Sequence, residues 1–258
     1  TRIMADEQGM TVDMAAFEKA MEAQRERARE ASSFAVEKDD VTPWNHVAPE
    51  DAEGSEFVGY DTDTTEAALM RWRKTSDGDI ELVFDRTPFY ALSGGQASDT
   101  GIIEPQDGSF ALRVSEVYDS LTAGRVHICA LERGGFSASA LTSGPVKLAI
   151  DTERRRDTER NHSSTHLLQA ALRTVLGDHV RQSGSAVDCE RLRFDFNHFS
   201  GMNRDEIATV EEYVNRWVIE SMPVEITTTS LEEARKNGAM SLFEEKYGDT
   251  VRMVRMGD

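Results

Sequence analysis

The arrangement of apolar residues changes near the middle of this chain, and that change constrains the fold more than any other feature. Between Phe57 and Ile150 the sequence carries short, partly alternating apolar runs, which Gly, Asp and Ser residues separate. Regular spacing of this kind is typical of a small antiparallel barrel or sandwich. Beyond these runs, apolar residues at helical spacing predict helices over residues 161–176, 203–221 and 230–237. Strand-like runs lie between and after these helices: RLRFDF, PVEITTTS and TVRMVRM.

A polar segment precedes both regions. Asp13 is a plausible helix N-cap, and the apolar residues that follow it predict a connecting helix over residues 13–32. Residues 37–55 are acidic and rich in turn formers, which indicates a linker. The sequence therefore predicts an α+β chain in three parts: a connecting helix and linker (residues 1–55), a β-barrel module (56–150) and an α+β module (151–258).

Charge and cysteine content exclude several classes of protein. The net charge is -18, which argues against nonspecific nucleic-acid binding by the whole surface. The N-terminus lacks the basic-then-apolar pattern of a signal peptide, and no window reaches the roughly 18 apolar residues of a membrane span. Two cysteines, Cys129 and Cys189, give no disulfide framework. We therefore expect a cytoplasmic protein without a membrane partner.

Two histidines stand four residues apart in RNHSSTHLLQAALRTVL. On a helix, His162 and His166 would share one face, with Cβ atoms roughly 5–6 Å apart, and could hold one metal ion together. The plain alternative is that two histidines happen to share a helix face. Zinc usually takes three or four protein ligands, and the other histidines show no metal-ligand spacing.

A second motif, RTPFYALSGGQASDTG, surrounds two adjacent glycines with polar side chains. Gly94 and Gly95 permit positive φ angles and a close backbone approach. A tight connection between strands explains a glycine pair equally well. The density of polar residues around the pair makes a loop that faces a ligand the competing hypothesis.

A local basic window contrasts with the acidic chain. Residues 154–193 hold eight basic and five acidic residues, a net charge of +3. Ion pairs at a solvated helix start would explain this window. A phosphate backbone would also be tolerated there, and the arginines named for that role are Arg154, Arg155, Arg160 and Arg181.

Taken together and in this order, these motifs resemble the editing region of alanyl-tRNA synthetases and the related free-standing editing proteins. DRTPFYALSGGQASDTG resembles the Gly-rich signature of that family, and NHSSTHLLQAALRTVLGDHVRQSGSAV with LRFDFNHF resembles its H-x-x-x-H block. The segment ADEQGMTVDMAAFEKAMEAQRERAREAS is similar to the connection between the synthetase's aminoacylation half and its editing domain. Free-standing editors generally lack that connection. One departure is Leu92, where the family often has Glu, so a carboxylate role does not transfer to that position.

The resemblance implies an α+β editing core like that shared by alanyl- and threonyl-tRNA synthetases, and a zinc site. His162 and His166 match the first two zinc ligands. The other two, in a Cys-x-x-x-His motif, are expected after Asp258, because no residue here matches them. Gln182 matches a position near the amino acid under test. The residues expected to take part in catalysis are Gln182, Thr87, Ser93 and Gln96, and Gly94 and Gly95 are expected to contact the substrate.

The implied function is hydrolysis of Ser-tRNA(Ala) and Gly-tRNA(Ala), with alanine tRNA and the rest of the synthetase as partners. A pocket for alanine discriminates against glycine or serine by only about 10–200-fold, so a second, hydrolytic site is needed. The alternatives are a free-standing trans-editing deacylase, an inactive tRNA-binding fragment, and a metal-dependent hydrolase of small esters.

Overall fold

The computed structural model describes residues 42–49, 55–239 and 250–257, together with Asp13, Ala16 and Lys19. The Asp13 carboxylate accepts a hydrogen bond from the Ala16 backbone N–H at 3.0 Å, and Ala16 and Lys19 are helical. This hydrogen bond is the N-cap that the sequence predicts. The rest of the predicted connecting helix, and residues 37–41 and 50–54 of the predicted linker, lie outside the described residues.

The described elements mix strands and helices, so the predicted α+β class is confirmed. In chain order the strands are β1 Asn45–His46, β2 Glu56–Phe57, β3 Thr64–Ala67, β4 Leu69–Lys74, β5 Ile80–Phe84, β6 Arg86–Thr87, β7 Gly101–Pro105, β8 Phe110–Ser120, β9 Gly124–Gly134, β10 Val146–Ile150, β11 Gln182–Val187, β12 Leu192–Phe196, β13 Val224–Ser230 and β14 Thr250–Met256. The helices are α1 Ala138–Thr142, α2 Thr152–Leu176, α3 Arg204–Glu220 and α4 Leu231–Lys236. None of the helices in the described residues is both long and apolar enough to cross a membrane.

The chain divides into two compact units. The first comprises residues 1–93 and 98–151, and the second comprises residues 94–97 and 152–258. Residues 94–97, which contain the glycine pair, therefore group with the helices and not with the strands that flank them in sequence.

The first unit is built on an eight-stranded antiparallel sheet, in the order β1-β4-β5-β9-β8-β7-β10-β3. Strands β3 and β4 are separated only by Ala68, yet they pair with neighbours at opposite ends of this order. The sheet must therefore curl round into a half-barrel. Register shifts along β8 and β9 fit this curvature, because bulges increase local twist.

Alternation along the strands places apolar side chains inside the half-barrel. Its largest fully buried residues include Phe84, Phe89, Phe110 and Leu82. These residues belong to one continuous core cluster that extends to Leu141 of α1. Short strand β1, within the segment predicted to be a linker, pairs with β4 at the sheet edge.

The second unit packs α2 against α3. Its core contains Ala171 and Leu172 of α2, Val210 of α3, and Val180, with Phe194 of β12 packed against them. Helix α3 begins with a capping box, in which the Asn203 side chain accepts from the Glu206 N–H and the Glu206 carboxylate accepts from the Asn203 N–H. The predicted helices over residues 203–221 and 230–237 are confirmed within one residue at each end.

Helix α2 begins at Thr152, nine residues before the predicted start at residue 161. The extra turns have the sequence TERRRDTERN, in which no apolar residue reveals a helical period. Ion pairs three residues apart stabilise them instead, between Arg156 and Glu159 and between Arg160 and Asp157. The longer helix puts Arg154, Arg155 and Arg160 on the same element as His162 and His166.

Replacing Leu82 with Ala should destabilise the first unit by about 2–5 kcal/mol, because the side chain is 0% exposed and its removal leaves a cavity. Leu121→Ala is the matched control, since Leu121 is 95% exposed and should change stability by no more than about 0.5 kcal/mol. Urea unfolding of both variants measures the difference. Equal losses of stability would show that the described core is not the one that stabilises this unit.

Candidate functional site

The two histidines of the H-x-x-x-H motif lie one turn apart on α2. Their rings stack with centroids 5.2 Å apart and an interplanar angle of 20°. Desolvation lowers the pKa of His162, with a further contribution from the charge of His166, and desolvation also lowers the pKa of His166. His166 keeps an exposed surface, whereas His162 is partly buried. The lowered pKa values favour neutral imidazoles, the form that can bind a metal ion.

Residues 94–97 bring Gln96 to this pair of histidines. Gly95 O accepts from Val187 N, and Ala97 N donates to Val187 O, each at 2.8 Å. These two bonds hold Gln96 in a parallel bridge beside the end of β11. Gln96 is 7% exposed, and its Oε1 lies 2.6 Å from Nδ1 of His162. A residue of the Gly-rich motif thus contacts a residue of the histidine motif directly.

Position 95 requires glycine, because its backbone packs closely against Ser185. Its φ is +85°, and a Cβ there would lie 2.6 Å from Ser185 Oγ and 2.7 Å from Ser185 O. Gly94 has φ +61°, but a Cβ there would meet nothing within 4 Å. The Ser185 hydroxyl in turn accepts a hydrogen bond from Gln182 Nε2 at 2.9 Å. Gln182 is therefore linked to the glycine loop through Ser185.

We call this group of residues the editing cluster, after the resemblance described above: Gly95, Gln96, His162, His166, Gln182 and Ser185. Ser185 was not predicted from the sequence, where it is one of several small polar residues in QSGSAV. Strand β11 itself was also missed, because this segment lacks the bulky or β-branched residues that usually indicate a strand.

Thr87 belongs to the first unit, and its predicted role in catalysis stays a prediction. It is fully buried in the first unit, where its hydroxyl lies 2.8 Å from Nε2 of His127 and accepts from the Phe89 N–H at 3.1 Å. Nδ1 of His127 lies 3.1 Å from Leu82 O. These contacts make Thr87 a structural residue of the half-barrel core.

Ser93 is exposed and belongs to the first unit, where its side chain hydrogen-bonds Tyr90. Burial raises the pKa of Tyr90, and the neighbouring Tyr60 adds to that rise. Among the described contacts of Ser93, none involves the editing cluster. Its predicted part in catalysis stays a prediction.

The arginines named as tRNA contacts differ in exposure. Arg155 is buried, with 5% of the residue exposed, and its predicted contact with tRNA stays a prediction. Arg154, Arg160 and Arg181 are exposed, and Arg160 forms an ion pair with Asp157. Arg154 and Arg155 are adjacent in sequence but lie on different faces of α2. The number of charges along the sequence does not show which face each arginine occupies.

The histidine pair fits one half of a zinc site. Zinc is bound by neutral imidazole nitrogen and usually takes four ligands in a tetrahedral arrangement. Within the described ranges, no group of three or more His, Cys, Asp or Glu side chains is arranged to hold a metal ion. The described residues therefore offer two donors, His162 and His166, and the rest of the shell stays a prediction.

Comparison with known proteins gives a consistent picture. A sequence model of the family "tRNA synthetases class II (A)" matches residues 1–154. The chain is 42% identical over 266 residues to the alanine–tRNA ligase of Fervidobacterium nodosum, covering 100% of this chain and 29% of that protein. It is 44% identical to the alanine–tRNA ligase of Thermotoga maritima, over 98% of this chain and 29% of the relative. It is also 44% identical to that of Bacillus cereus, over 100% of this chain and 29% of the relative. The chain thus spans less than a third of the length of these relatives.

Gly95→Ala should disturb the second unit more than Gly94→Ala. Both substitutions strain a positive φ, at a cost of about 1–2 kcal/mol, but only a Cβ at Gly95 would collide with the Ser185 carbonyl oxygen. Urea unfolding should therefore show the larger loss for Gly95→Ala, and NMR should show shifts at Gln96, Gln182 and Val187 in that variant alone. Equal losses and equal shifts would contradict the close packing described for Gly95.

His127 should make the first unit less stable in mild acid. Burial lowers its pKa from 6.5 to about 4. Between these pH values His127 is protonated in the unfolded chain and neutral in the folded chain. The free energy of unfolding therefore decreases as the pH falls through that window. The contribution is on the order of 3 kcal/mol at 1.36 kcal/mol per pKa unit.

The variant His127→Gln removes this titration while keeping polar groups in place. Urea unfolding of both proteins at pH 7.5 and pH 4.5 isolates the contribution of His127. The two proteins have the same carboxylates, so protonation of those groups affects both equally. The wild type should lose more stability than the variant between these pH values. Identical losses would mean that His127 is not buried in its neutral form.

Proposed function

Because this chain belongs to the class II (A) family of tRNA synthetases, we propose that it forms the editing region of an alanine–tRNA ligase and hydrolyses Ser-tRNA(Ala) and Gly-tRNA(Ala). The observation that carries this proposal is the contact between Gln96 and His162, which joins the Gly-rich loop to the histidine pair. The names of the relatives, alanine–tRNA ligases, support the choice of tRNA.

The geometry of the editing cluster suits the hydrolysis of an activated ester. The reaction needs a positioned water molecule and hydrogen-bond donors near the ester carbonyl, because the aminoacyl ester is already reactive. Gln182 is half-buried beside Ser185, and we assign these two polar side chains to the aminoacyl group. Such groups read a serine hydroxyl well, since a polar site loses hydrogen bonds when that hydroxyl is absent.

Gly94 and Gly95 leave an open surface next to Gln96. Both residues are exposed, and the absence of side chains allows a substrate to approach the backbone closely. We assign this surface to the terminal nucleotide of the tRNA. Exposed Arg154, Arg160 and Arg181 supply positive charge for the phosphate backbone in a chain that is otherwise acidic.

His162 and His166 would hold zinc, with a Cys and a further His that the family resemblance implies. When bound, the metal would act as a Lewis acid that orients the substrate or polarises water. Independently of the metal, α2 holds both imidazoles at a fixed spacing, and desolvation keeps them neutral. The tRNA ligase relatives also favour a cytoplasmic location and the rest of the synthetase as a partner.

The second candidate function is tRNA binding without catalysis. It is favoured by one observation: within the described ranges, no group of three or more His, Cys, Asp or Glu side chains is arranged to hold a metal ion. Hydrolysis distinguishes the two functions directly, because binding alone would leave the ester intact.

The deciding experiment measures the hydrolysis of Ser-tRNA(Ala) and correctly charged Ala-tRNA(Ala). It compares this chain, a longer chain that includes the expected Cys-x-x-x-His motif, and the longer chain with His162→Ala. The longer chain should hydrolyse Ser-tRNA(Ala) at least 100-fold faster than the short chain, because the metal shell is then complete. His162→Ala should abolish that gain. The longer chain should leave Ala-tRNA(Ala) intact.

His179→Ala is the matched control, since His179 is an exposed histidine of the same unit outside the editing cluster. It should retain the activity of the longer chain. Equal rates for the short and longer chains would show that the metal shell is not what this site uses. Full activity after His162→Ala would remove this histidine from the mechanism.

A further inference from the structure

The contact between Gln96 and His162 determines which ring nitrogen of His162 faces the amide of Gln96. The two residues are 66 positions apart, and the 2.6 Å distance joins an amide oxygen to one particular ring nitrogen, Nδ1. An amide oxygen can only accept a hydrogen bond. In this orientation of the Gln96 amide, Nδ1 of His162 carries the proton, and in the neutral ring Nε2 keeps the lone pair.

The backbone and the side chain of Gln96 are both held in place by neighbouring residues. Its neighbours Gly95 and Ala97 are bonded to Val187 on both sides, and its side chain is almost entirely buried. The close packing of Gly95 against Ser185 restricts the loop further. The amide oxygen is therefore a fixed acceptor to which the ring must adapt.

His166 provides a contrast within the same site. Its ring stacks on that of His162, but among the described residues no side chain or backbone group hydrogen-bonds its ring nitrogens. Only one of the two imidazoles therefore has a tautomer that the protein imposes.

We propose that Gln96 is a positioning residue that holds neutral His162 as the Nδ1–H tautomer and so presents the Nε2 lone pair to a ligand. The tautomer follows from the hydrogen bond alone. Its meaning for zinc rests on the proposed function, in which an oriented and more basic ligand nitrogen tightens metal binding.

The test is a long-range ¹⁵N–¹H NMR spectrum of the histidine side chains at pH 8, where the imidazoles are neutral. His162 should show a protonated Nδ1 and an unprotonated Nε2. His127 is the internal reference, because its Nδ1 donates to the Leu82 carbonyl oxygen and should be protonated in every variant. An Nε2–H pattern for wild-type His162 would overturn the proposal, since the Gln96 amide would then be donating to Nδ1.

Variants of Gln96 separate this hydrogen bond from general packing. Gln96→Glu should keep Nδ1 protonated, because a carboxylate also only accepts. Gln96→Met keeps much of the side-chain length but removes the amide, so His162 should change to a mixed pattern like that of His166. The control Asn197→Leu changes an amide of the second unit outside the editing cluster and should leave the His162 pattern unchanged. A His162 pattern that survives Gln96→Met unchanged, with the His127 reference intact, would overturn the proposal.

Zinc titration of the longer chain, which includes the expected Cys-x-x-x-His motif, tests the functional part separately. Zinc should shift the Nε2 signal of His162, and Gln96→Met should weaken that apparent affinity by about 10-fold or more. If the tautomer changes in Gln96→Met but zinc affinity does not, the positioning role stands and its link to the proposed metal site is wrong. If zinc leaves His162 unaffected in the longer chain, the proposed zinc site fails while the tautomer result is independent of it.

Discussion

The packing of Gly95 against Ser185 is the constraint on which the editing cluster depends. A side chain at position 95 would displace the loop from β11, because its Cβ would overlap the Ser185 carbonyl oxygen. With glycine there, two backbone hydrogen bonds to Val187 hold the loop, and Gln96 is directed toward α2. The position of one glycine thus determines whether an amide from one motif reaches a histidine from another.

The same packing explains why Thr87 and Gln96, which are close in sequence, lie in different units. Residues 94–97 leave the strands that flank them and group with the second unit, so the loop supplies Gln96 to the histidines. Thr87, which precedes this loop, stays in the first unit and is bound to His127. Polar residues that are close in sequence therefore belong to different units and have different hydrogen-bond partners.

The sequence predicted those features that repeat locally. Alternation predicted the antiparallel sheet, and the four-residue spacing placed His162 and His166 on one helix face, where their rings stack. The start of α2 was missed because its first turns are stabilised by ion pairs and carry no apolar period. The burial of Arg155 could not be predicted from the number of charges, because that number ignores the helix face on which each residue lies. The contact of Gln96 with His162 could not be predicted from periodicity, since it depends on tertiary packing across 66 residues.

We propose that the editing cluster binds an aminoacylated nucleotide. A non-hydrolysable analogue, with serine joined to the 3′ position of adenosine through an amide, tests this proposal. Titrated into the ¹⁵N-labelled chain, this analogue should shift the signals of Gln96, His162 and Gln182, while adenosine alone should shift them less. Shifts confined to residues outside the cluster, or no shifts at millimolar analogue, would show that the editing cluster does not bind an aminoacylated nucleotide.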